Sequence, residues 1–240
     1  MDHDTLMALL EQIRDAVDER AICDALLRIG ARYGLTQVLC GVVPAEETPG
    51  PDARTQILFN RWPHEWLLRY FDEGHVHKDP VIHRVLTTEN GFRWSEAIAQ
   101  APSPAADQLF GAAREHGLVD GIAIPVVTAN GARGSLSLGG ERIALTDKEI
   151  GMLEVAANLA VECSGAVEMN RKSARELGLS AREYDCLRWT AEGKTDRDIA
   201  DLMGLAVRTI EDHGAALRRK LNAINRAHLV TRGFRAGLLR

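Results

Sequence analysis

The length, composition and charge of this 240-residue chain restrict the classes of protein to which it can belong. Hydrophobic residues make up 45% of the chain and charged residues 26%, the ordinary balance of a soluble protein that buries a core. The four cysteines form no CxxC pair, so they predict free thiols and exclude a disulfide framework or a cysteine-bound metal. With an acidic N-terminal segment and no run approaching roughly 18 apolar residues, the sequence predicts a cytoplasmic protein without a membrane span.

The net charge of −5 is unevenly distributed along the chain. Residues 171–240 hold 15 Lys and Arg against 9 Asp and Glu, whereas residues 1–170 hold 14 against 25. An acidic body with a basic C-terminal segment predicts two domains, of which the smaller one faces an anionic partner. Nucleic acid is the commonest such partner, and a merely solvated basic surface is the alternative.

The first 168 residues carry a succession of helical and strand patterns. In chain order, the predicted elements are helices over 4–17 and 20–33, strands over about 36–43 and 54–60, helices within 63–116, strands over about 119–127 and 133–139, and a long helix over 147–168. Strands grouped between helices predict an α+β fold, here an N-terminal α/β/α sandwich with a central antiparallel sheet. The long helix follows the capping-box sequence "TDKE", in which Thr146 and Glu149 can bond each other's backbone N–H.

Large rings are concentrated in one stretch of this domain, since residues 59–94 hold seven of the chain's 12 aromatic residues. Trp62, Trp66 and Tyr70 recur at four-residue spacing, so their rings are predicted to share one face of a helix. With Trp94 they predict an apolar pocket that has a few polar anchors, as small-molecule sites usually do. The alternative is an aromatic core in which the tryptophans find internal hydrogen-bond partners.

Asp79 and several histidines supply polar groups in the same stretch. Asp79 precedes Pro80, which fits the start of a helix, and a buried carboxylate there is also a candidate acceptor for a ligand N–H. Four of the eight histidines lie nearby, at His64, His75, His77 and His83. No HExxH or other ligand trio accompanies them, so "DEGHVHKD" is predicted to be a solvated loop and not a metal site. No grouping of catalytic residues stands out, and the sequence predicts a protein that is not an enzyme.

The C-terminal residues 178–240 follow a polar, basic stretch at 169–177 that is predicted to be a linker. Four helices are predicted, over 180–191, 195–203, 207–221 and about 226–238. Two short helices joined by a turn containing Gly204, the second longer and basic, predict a helix-turn-helix whose second helix fits the major groove of DNA. A plain four-helix packing unit is the alternative.

The predicted helix over 207–221 has one apolar face and turns its charged side chains outward. The apolar face is formed by Ile210, Gly214, Leu217 and Leu221. Gly214 is predicted to allow close approach to the preceding helix, and Ala206 stands where a capping side chain is preferred. On the fourth helix, the predicted apolar stripe is Ala227, Val230, Phe234 and Leu238.

Residues 179–221 resemble the C-terminal DNA-binding domain of the LuxR family. The matching positions are Leu179, Ser180, Glu183, Leu187, Ala191, Gly193, Lys194, Ile199, Ala200, Leu202, Val207, Thr209, Ile210, His213, Lys220 and Leu221. The resemblance implies a four-helix domain in which 207–221 reads the groove, the last helix helps dimerisation and Glu183 is structural. The candidate DNA contacts are Lys194, Thr195, Arg208, Thr209, His213, Arg218 and Lys220.

The aromatic stretch resembles the autoinducer-binding domain of the same family. The matching positions are Trp66, Tyr70, Asp79, Pro80, Trp94 and Gly121. The resemblance implies that the Trp66 N–H donates to a lactone carbonyl and that Asp79 accepts from the ligand amide, while Tyr70 and Trp94 form walls. Ser137 is implied to reach the amide carbonyl, with an ordinary strand serine as the alternative. Trp62 stands where the family usually has a tyrosine that bonds that carbonyl.

Together the two resemblances cover nearly the whole chain and imply one function. They predict domains at 1–168 and 178–240 of a transcriptional regulator that senses an acyl-homoserine lactone or a related quorum-sensing signal. A homodimer is predicted to bind a palindromic operator and to act as an activator, with no cofactor besides the signal ligand and no membrane partner. The alternatives are a ligand-independent regulator or antagonist that acts by dimerisation, or a sensor of a non-lactone signal.

Overall fold

A computed structural model of the protein describes residues 2–16 and 18–239. The chain divides into two compact units, Met1–Gly165 and Ala166–Arg240. Each unit has its own hydrophobic core.

The first unit is built from an antiparallel sheet and helices. Its helices are α1 His3–Arg14, α2 Glu19–Gly30, α3 Gly50–Ala53, α4 His64–Asp72, α5 Pro80–Val85, α6 Trp94–Gln100, α7 Pro104–Glu115 and α8 Asp147–Glu176, which continues into the second unit. Its strands are β1 Gln37–Val42, β2 Ile57–Asn60, β3 Phe92–Arg93, β4 Asp120–Val127 and β5 Arg133–Gly140. The five strands pair in the order β2-β1-β5-β4-β3, and every pair is antiparallel. The predicted α+β fold with a central antiparallel sheet is confirmed.

The two faces of this sheet carry side chains of different size. Because successive residues of a strand point to opposite faces, Leu136 and Leu138 on β5 join the core that α1, α2 and α8 cover. Ser135 and Ser137 alternate with them and line a cavity on the other face, which packs against α4 to α7. One face therefore holds a core of large aliphatic residues, and the other leaves room beside the sheet.

Several boundaries differ from those that the sequence predicts. Residues 54–56 form a helical turn, so β2 begins only at Ile57. The helix predicted over 20–33 ends at Gly30 and continues to Tyr33 as a 3-10 turn, which Gly34 terminates at a φ of 80°. The described part of the helix predicted over 4–17 ends at Arg14, and residue 17 lies outside the described residues.

Helix α8 extends beyond its predicted end at residue 168. It continues to Glu176, so most of the stretch predicted as a linker, 169–177, is helical. Within the part of the chain that the structure describes, α8 is the one helix whose length and composition would suffice to cross a membrane. Core helices of soluble proteins meet the same criterion, and Ile150, Leu153 and Ala157 of α8 are buried in the core of the first unit.

The second unit is helical. It contains α9 Ala181–Ala191, α10 Asp196–Met203, α11 Val207–Lys220 and α12 Arg226–Arg235. Capping boxes start α9, between Ser180 and Glu183, and α10, between Thr195 and Asp198. Gly204, with a φ of 63°, ends α10 and makes the turn into α11, because this left-handed conformation suits glycine. The arrangement confirms the predicted helix-turn-helix.

Two expectations about the packing of this unit are wrong. A Cβ at Gly214 would meet only Arg218 Nη1, at an ordinary 3.6 Å, so this glycine marks no close approach between helices. Phe234 is half exposed, and the buried residues of α12 are Leu229 and Gly233 instead. The predicted stripe fails because α12 ends at Arg235. Leu238 lies beyond the end of the helix and reaches the core from there, so it does not share a helical face with Phe234.

Candidate functional site

A cavity in the first unit brings together all six residues predicted to bind a ligand. It lies between the small-residue face of the sheet and helices α4 to α7. The predicted residues in its lining are Trp62, Trp66, Tyr70, Asp79, Trp94 and Ser137. Most of the remaining lining is apolar, including Val76, Leu109 and Phe110, so the polar groups stand out as anchors.

Three of the rings form one cluster around the start of α4. Helix α4 begins at His64, so Trp62 lies just before it, while Trp66 and Tyr70 lie one turn apart within it. The ring centroids of Trp62 and Tyr70 are 5.2 Å apart in an edge-to-face arrangement, and those of Trp66 and Tyr70 are 6.0 Å apart. These distances are typical of favourable aromatic pairs. The four-residue spacing in the sequence thus places the rings together.

Asp79 caps α5 and also accepts a hydrogen bond from Tyr70. Its Oδ1 accepts from the backbone N–H of Val81 at 2.8 Å, which caps α5, and its Oδ2 accepts from the Tyr70 hydroxyl at 2.7 Å inside the cavity. Burial raises the pKa of this carboxyl to about 6, although the hydrogen bonds from Tyr70 and Val81 oppose the shift. Burial and the neighbouring Asp79 raise the pKa of Tyr70 well above its ordinary value, so its hydroxyl keeps its proton.

The indole N–H groups of Trp62, Trp66 and Trp94 are buried without a hydrogen-bond partner among the described residues. A buried donor without a partner costs about 1–3 kcal/mol, and native proteins rarely tolerate it without a reason. Three such donors around one cavity give it the capacity to bind acceptor oxygens. Asp79 supplies the complementary acceptor, because each carboxylate oxygen has a second lone pair.

Two glycines in the sheet determine how Trp94 lies beside it. A Cβ at Gly121 would be 2.7 Å from Trp94 Cε2 and would also collide with the carbonyl oxygen of Leu138. A Cβ at Gly139 would be 2.5 Å from Trp94 Cη2. Glycine at both positions therefore lets the indole, which lines the cavity, pack directly against β4 and β5.

Ser135 is a cavity residue that the sequence prediction missed. It is buried, lines the cavity and lies with its Oγ 3.4 Å from that of Ser137. The alternation in "GSLSLGG" contains the signal, because residues two apart on a strand share a face. Because Ser137 is predicted to face the cavity, the same alternation places Ser135 on that face.

The histidines do not form the solvated loop that the sequence predicts. His75–His77 is a 3-10 turn, and His75 is buried with its ring stacked on Trp66 at 6.0 Å. His75 Nε2 lies 3.1 Å from Glu73 Oε2 without hydrogen-bond geometry, and His77 Nε2 bonds the carbonyl oxygen of Thr48. Across the described residues, no three His, Cys, Asp or Glu side chains are grouped to hold a metal ion.

The candidate DNA contacts lie on two parts of the second unit, the start of α10 and the length of α11. Thr195 caps α10 directly after Lys194, while Thr209, His213 and Arg218 lie partly exposed along α11. The Arg208 side chain is 80% exposed but lies 3.5 Å from Glu211 and 3.7 Å from Asp212, so acidic neighbours partly balance its charge.

Lys220 differs from the other candidates because it is bound within the domain. Its Nζ lies 2.6 Å from Glu183 Oε2 and 2.8 Å from the carbonyl oxygen of Gly178. Burial alone would raise the pKa of Glu183, yet the hydrogen bonds from Lys220 and Ser180 lower it below its ordinary value. Lys220 thus holds the last turn of α11 to the start of α9.

Comparison with known proteins assigns both units. A family model described as an autoinducer binding domain matches residues 18–164, and one described as bacterial regulatory proteins of the luxR family matches residues 177–232. The chain belongs to the LuxR family. It is a LuxR-family transcriptional regulator, not an enzyme, with a domain for a small-molecule signal and a domain for DNA.

Two LuxR-family relatives are similar to this chain over most of its length. The quorum sensing-dependent transcriptional regulator RpaR of Rhodopseudomonas palustris is 30% identical over 88% of this chain and 85% of its own. The transcriptional activator BjaR1 of Bradyrhizobium diazoefficiens is 27% identical over 95% of this chain and 98% of its own. The crystal structure of SdiA from Escherichia coli has the same fold, with a TM-score of 0.51 and 22% identity over 97% of both chains.

Proposed function

We propose that this protein is a cytoplasmic quorum-sensing activator that binds an acyl-homoserine lactone or a closely related signal. The signal-binding domain comprises residues 1–168, and residues 178–240 bind a palindromic operator as part of a homodimer. Residues 169–177 join the two domains.

The observation that carries the proposal is the match between the cavity's polar groups and the polar atoms of such a lactone. An acyl-homoserine lactone offers a ring carbonyl, an amide carbonyl and one amide N–H in an otherwise apolar molecule. The cavity offers the unpartnered N–H groups of Trp66 and Trp62 and the buried carboxylate of Asp79. In the proposed complex Trp66 donates to the ring carbonyl, Trp62 to the amide carbonyl, and Asp79 accepts from the amide.

The remaining cavity residues have supporting parts in this proposal. Tyr70 holds the Asp79 carboxylate through its 2.7 Å hydrogen bond, and Trp94 forms part of the cavity wall. Ser137 faces the cavity from β5 and supplies a further donor for the amide carbonyl. Since the ligand binds only the folded cavity, it stabilises the protein by about 2.7 kcal/mol at a hundredfold excess over Kd.

For the DNA-binding domain, we propose that α11 enters the major groove. Its outward positions carry Arg208, Thr209 and His213, with Arg218 one turn further on, and Lys194 and Thr195 at the start of α10 contact phosphates. Two copies of the domain would read two half-sites about one helical turn apart, which makes the operator palindromic.

A thermal-shift screen of the full-length protein tests the signal. The panel contains acyl- and aryl-homoserine lactones of different length together with octanoyl-glycerol, since a structure of SdiA holds octanoyl-rac-glycerol. We expect a lactone to raise the Tm of wild type and to have little effect on Asp79→Ala. The control Asp107→Ala changes an Asp in the first turn of α7 outside the cavity lining and keeps the full shift. No shift with any lactone, combined with operator binding without ligand, would refute the proposal.

A further inference from the structure

The indole of Trp66 is a buried hydrogen-bond donor whose direction no hydrogen bond fixes. The side chain is 1% exposed, and its N–H has no partner among the described residues. The indole carries only this one polar group, so its side chain has no other means of forming a hydrogen bond. The direction in which the N–H points therefore depends on the groups that pack against the ring.

Two imidazoles stack on this indole. The ring centroid of His75 lies 6.0 Å from that of Trp66, with an angle of 25° between the ring planes. For His116 the distance is 5.4 Å and the angle 29°. Both values are typical of offset-stacked aromatic pairs. Neither histidine belongs to the cavity lining, so a ligand in the cavity would contact Trp66 and not the two imidazoles.

The two stacking rings come from different elements, and the backbone of each is anchored. The carbonyl oxygen of His75 accepts from the N–H of Lys78 at 2.9 Å within a 3-10 turn. His116 follows the last residue of α7, and its N–H donates to the carbonyl oxygen of Ala113 at 3.0 Å. Its own carbonyl oxygen accepts from Gln37 Nε2 at 2.9 Å, which ties it to β1. The imidazoles therefore support the indole from outside the cavity.

We infer that His75 and His116 are positioning residues, which hold the N–H of Trp66 in the direction that recognises the carbonyl of a lactone ring. The inference rests on the proposed function, in which Trp66 donates to that carbonyl. A hydrogen bond weakens steeply as its angle closes, so an indole that can rotate loses this bond. Binding groups need such support from the residues behind them. The acyl amide, which other cavity residues bind, does not depend on the two imidazoles.

The test compares matched ligands on the full-length protein. Hexanoyl-, octanoyl- and dodecanoyl-homoserine lactones are each titrated calorimetrically beside an analogue in which a methylene group replaces the ring carbonyl. We expect wild type to bind a lactone about tenfold more tightly than its analogue, the gain of one buried hydrogen bond. In His75→Ala and His116→Ala this advantage should fall below about threefold, with the analogue bound as in wild type. The variants His75→Phe and His116→Phe keep a ring and should restore the advantage.

His64→Ala is the matched control, because His64 is an exposed histidine at the start of α4 outside the cavity lining. It should keep the full advantage. The leucine variants of His75 and His116 fill space without an aromatic plane, and they replace the alanine variants if these do not fold. An advantage of wild-type size in both variants that lack the ring, or its loss in the phenylalanine variants, would overturn the inference and leave the proposed function standing. Failure of every lactone to bind wild type would instead remove the proposed function.

Discussion

The Tyr70 hydroxyl donates a 2.7 Å hydrogen bond to Asp79 Oδ2 within the cavity. The two residues are buried and belong to different elements, Tyr70 to α4 and Asp79 to the cap of α5. The bond fixes the carboxylate in the cavity wall while leaving lone pairs for a ligand. Because Asp79 is buried in the cavity wall, its protonation state should affect both ligand binding and the stability of the fold.

Stability should fall as the pH rises through the titration of Asp79. Burial raises the pKa of this carboxyl from 3.8 to about 6, so the folded protein holds the proton more tightly than the unfolded chain. The contribution is fully present below about pH 4 and is lost as the pH rises through 6, on the order of 3 kcal/mol. Asp79→Asn should remove this part of the pH dependence. Urea unfolding of both proteins from pH 4 to 8 measures it, and parallel curves would contradict the assignment.

Replacing the indoles of Trp62 and Trp66 separately by phenylalanine should weaken signal binding. Each substitution keeps an aromatic ring but removes an N–H that is buried without a partner among the described residues. We expect about a tenfold loss of affinity for each variant, since a ligand hydrogen bond contributes about 1 kcal/mol or somewhat more. Ligand titration gives the affinities. Trp189→Phe, which changes a tryptophan of the second unit, is the control and should bind the signal as wild type does.

Gly121→Ala should disrupt the cavity wall at Trp94. The new Cβ would be 2.7 Å from Trp94 Cε2 and would collide with the Leu138 carbonyl, so the ring or the strand must move. We expect a loss of about 1–3 kcal/mol in stability, as for overpacked cores, together with loss of the ligand-induced Tm shift. In contrast, Gly111→Ala on α7 meets nothing within 4 Å and should stabilise the protein by about 0.5–1 kcal/mol. Calorimetry of both variants, with and without ligand, measures the changes in stability and in the Tm shift.

Ala206→Ser should stabilise the DNA-binding domain. Ala206 has the extended backbone of an N-cap, but its side chain cannot accept from the first turn of α11. A serine supplies that acceptor and should contribute about 0.5–2 kcal/mol. Gly214→Ala should add about 1 kcal/mol, because its Cβ would make only ordinary contacts in the helix interior. Calorimetric unfolding of the C-terminal domain should show both gains in stability. A loss of stability for Gly214→Ala would contradict the expectation that its Cβ makes only ordinary contacts.

Lys220→Met should destabilise the DNA-binding domain by about 2 kcal/mol. The substitution removes the 2.6 Å ion pair and leaves the buried Glu183 carboxylate with fewer donors. Because its folded pKa is lowered, Glu183 contributes stability at neutral pH that is lost as the pH falls below its ordinary value of 4.5. The deficit of the variant should therefore shrink in acid. Arg208→Met, whose side chain is 80% exposed, should weaken operator binding without this loss of stability.

The features that the sequence predicts well are those with a repeating physical signal. The 3.6-residue period and the capping boxes at Ser180 and Thr195 place α9 and α10 to within one residue. Likewise, the four-residue spacing of Trp62, Trp66 and Tyr70 places three cavity rings together. Such local patterns specify structure before any tertiary contact is known.

The features that the sequence misses depend on tertiary contacts. Strand β3 has only two residues, too few for any period, and exists because it pairs with β4. His75 lies in a polar stretch but is buried because Trp66 stacks on it. Phe234 looks apolar yet stays half exposed, because Leu229 and Gly233 are the residues of α12 that face the core. No short-range pattern distinguishes these outcomes.

The unequal faces of the sheet have an evolutionary consequence. Leu136 and Leu138 belong to the aliphatic core, whereas on the opposite face Ser135 and Ser137 contribute small side chains and Gly139 contributes none. A substitution at Ser135 or Ser137 therefore alters what the cavity accepts and leaves the aliphatic packing untouched. Descendants of this chain can acquire new chemical preferences by changing alternate residues of one strand, at little risk to folding.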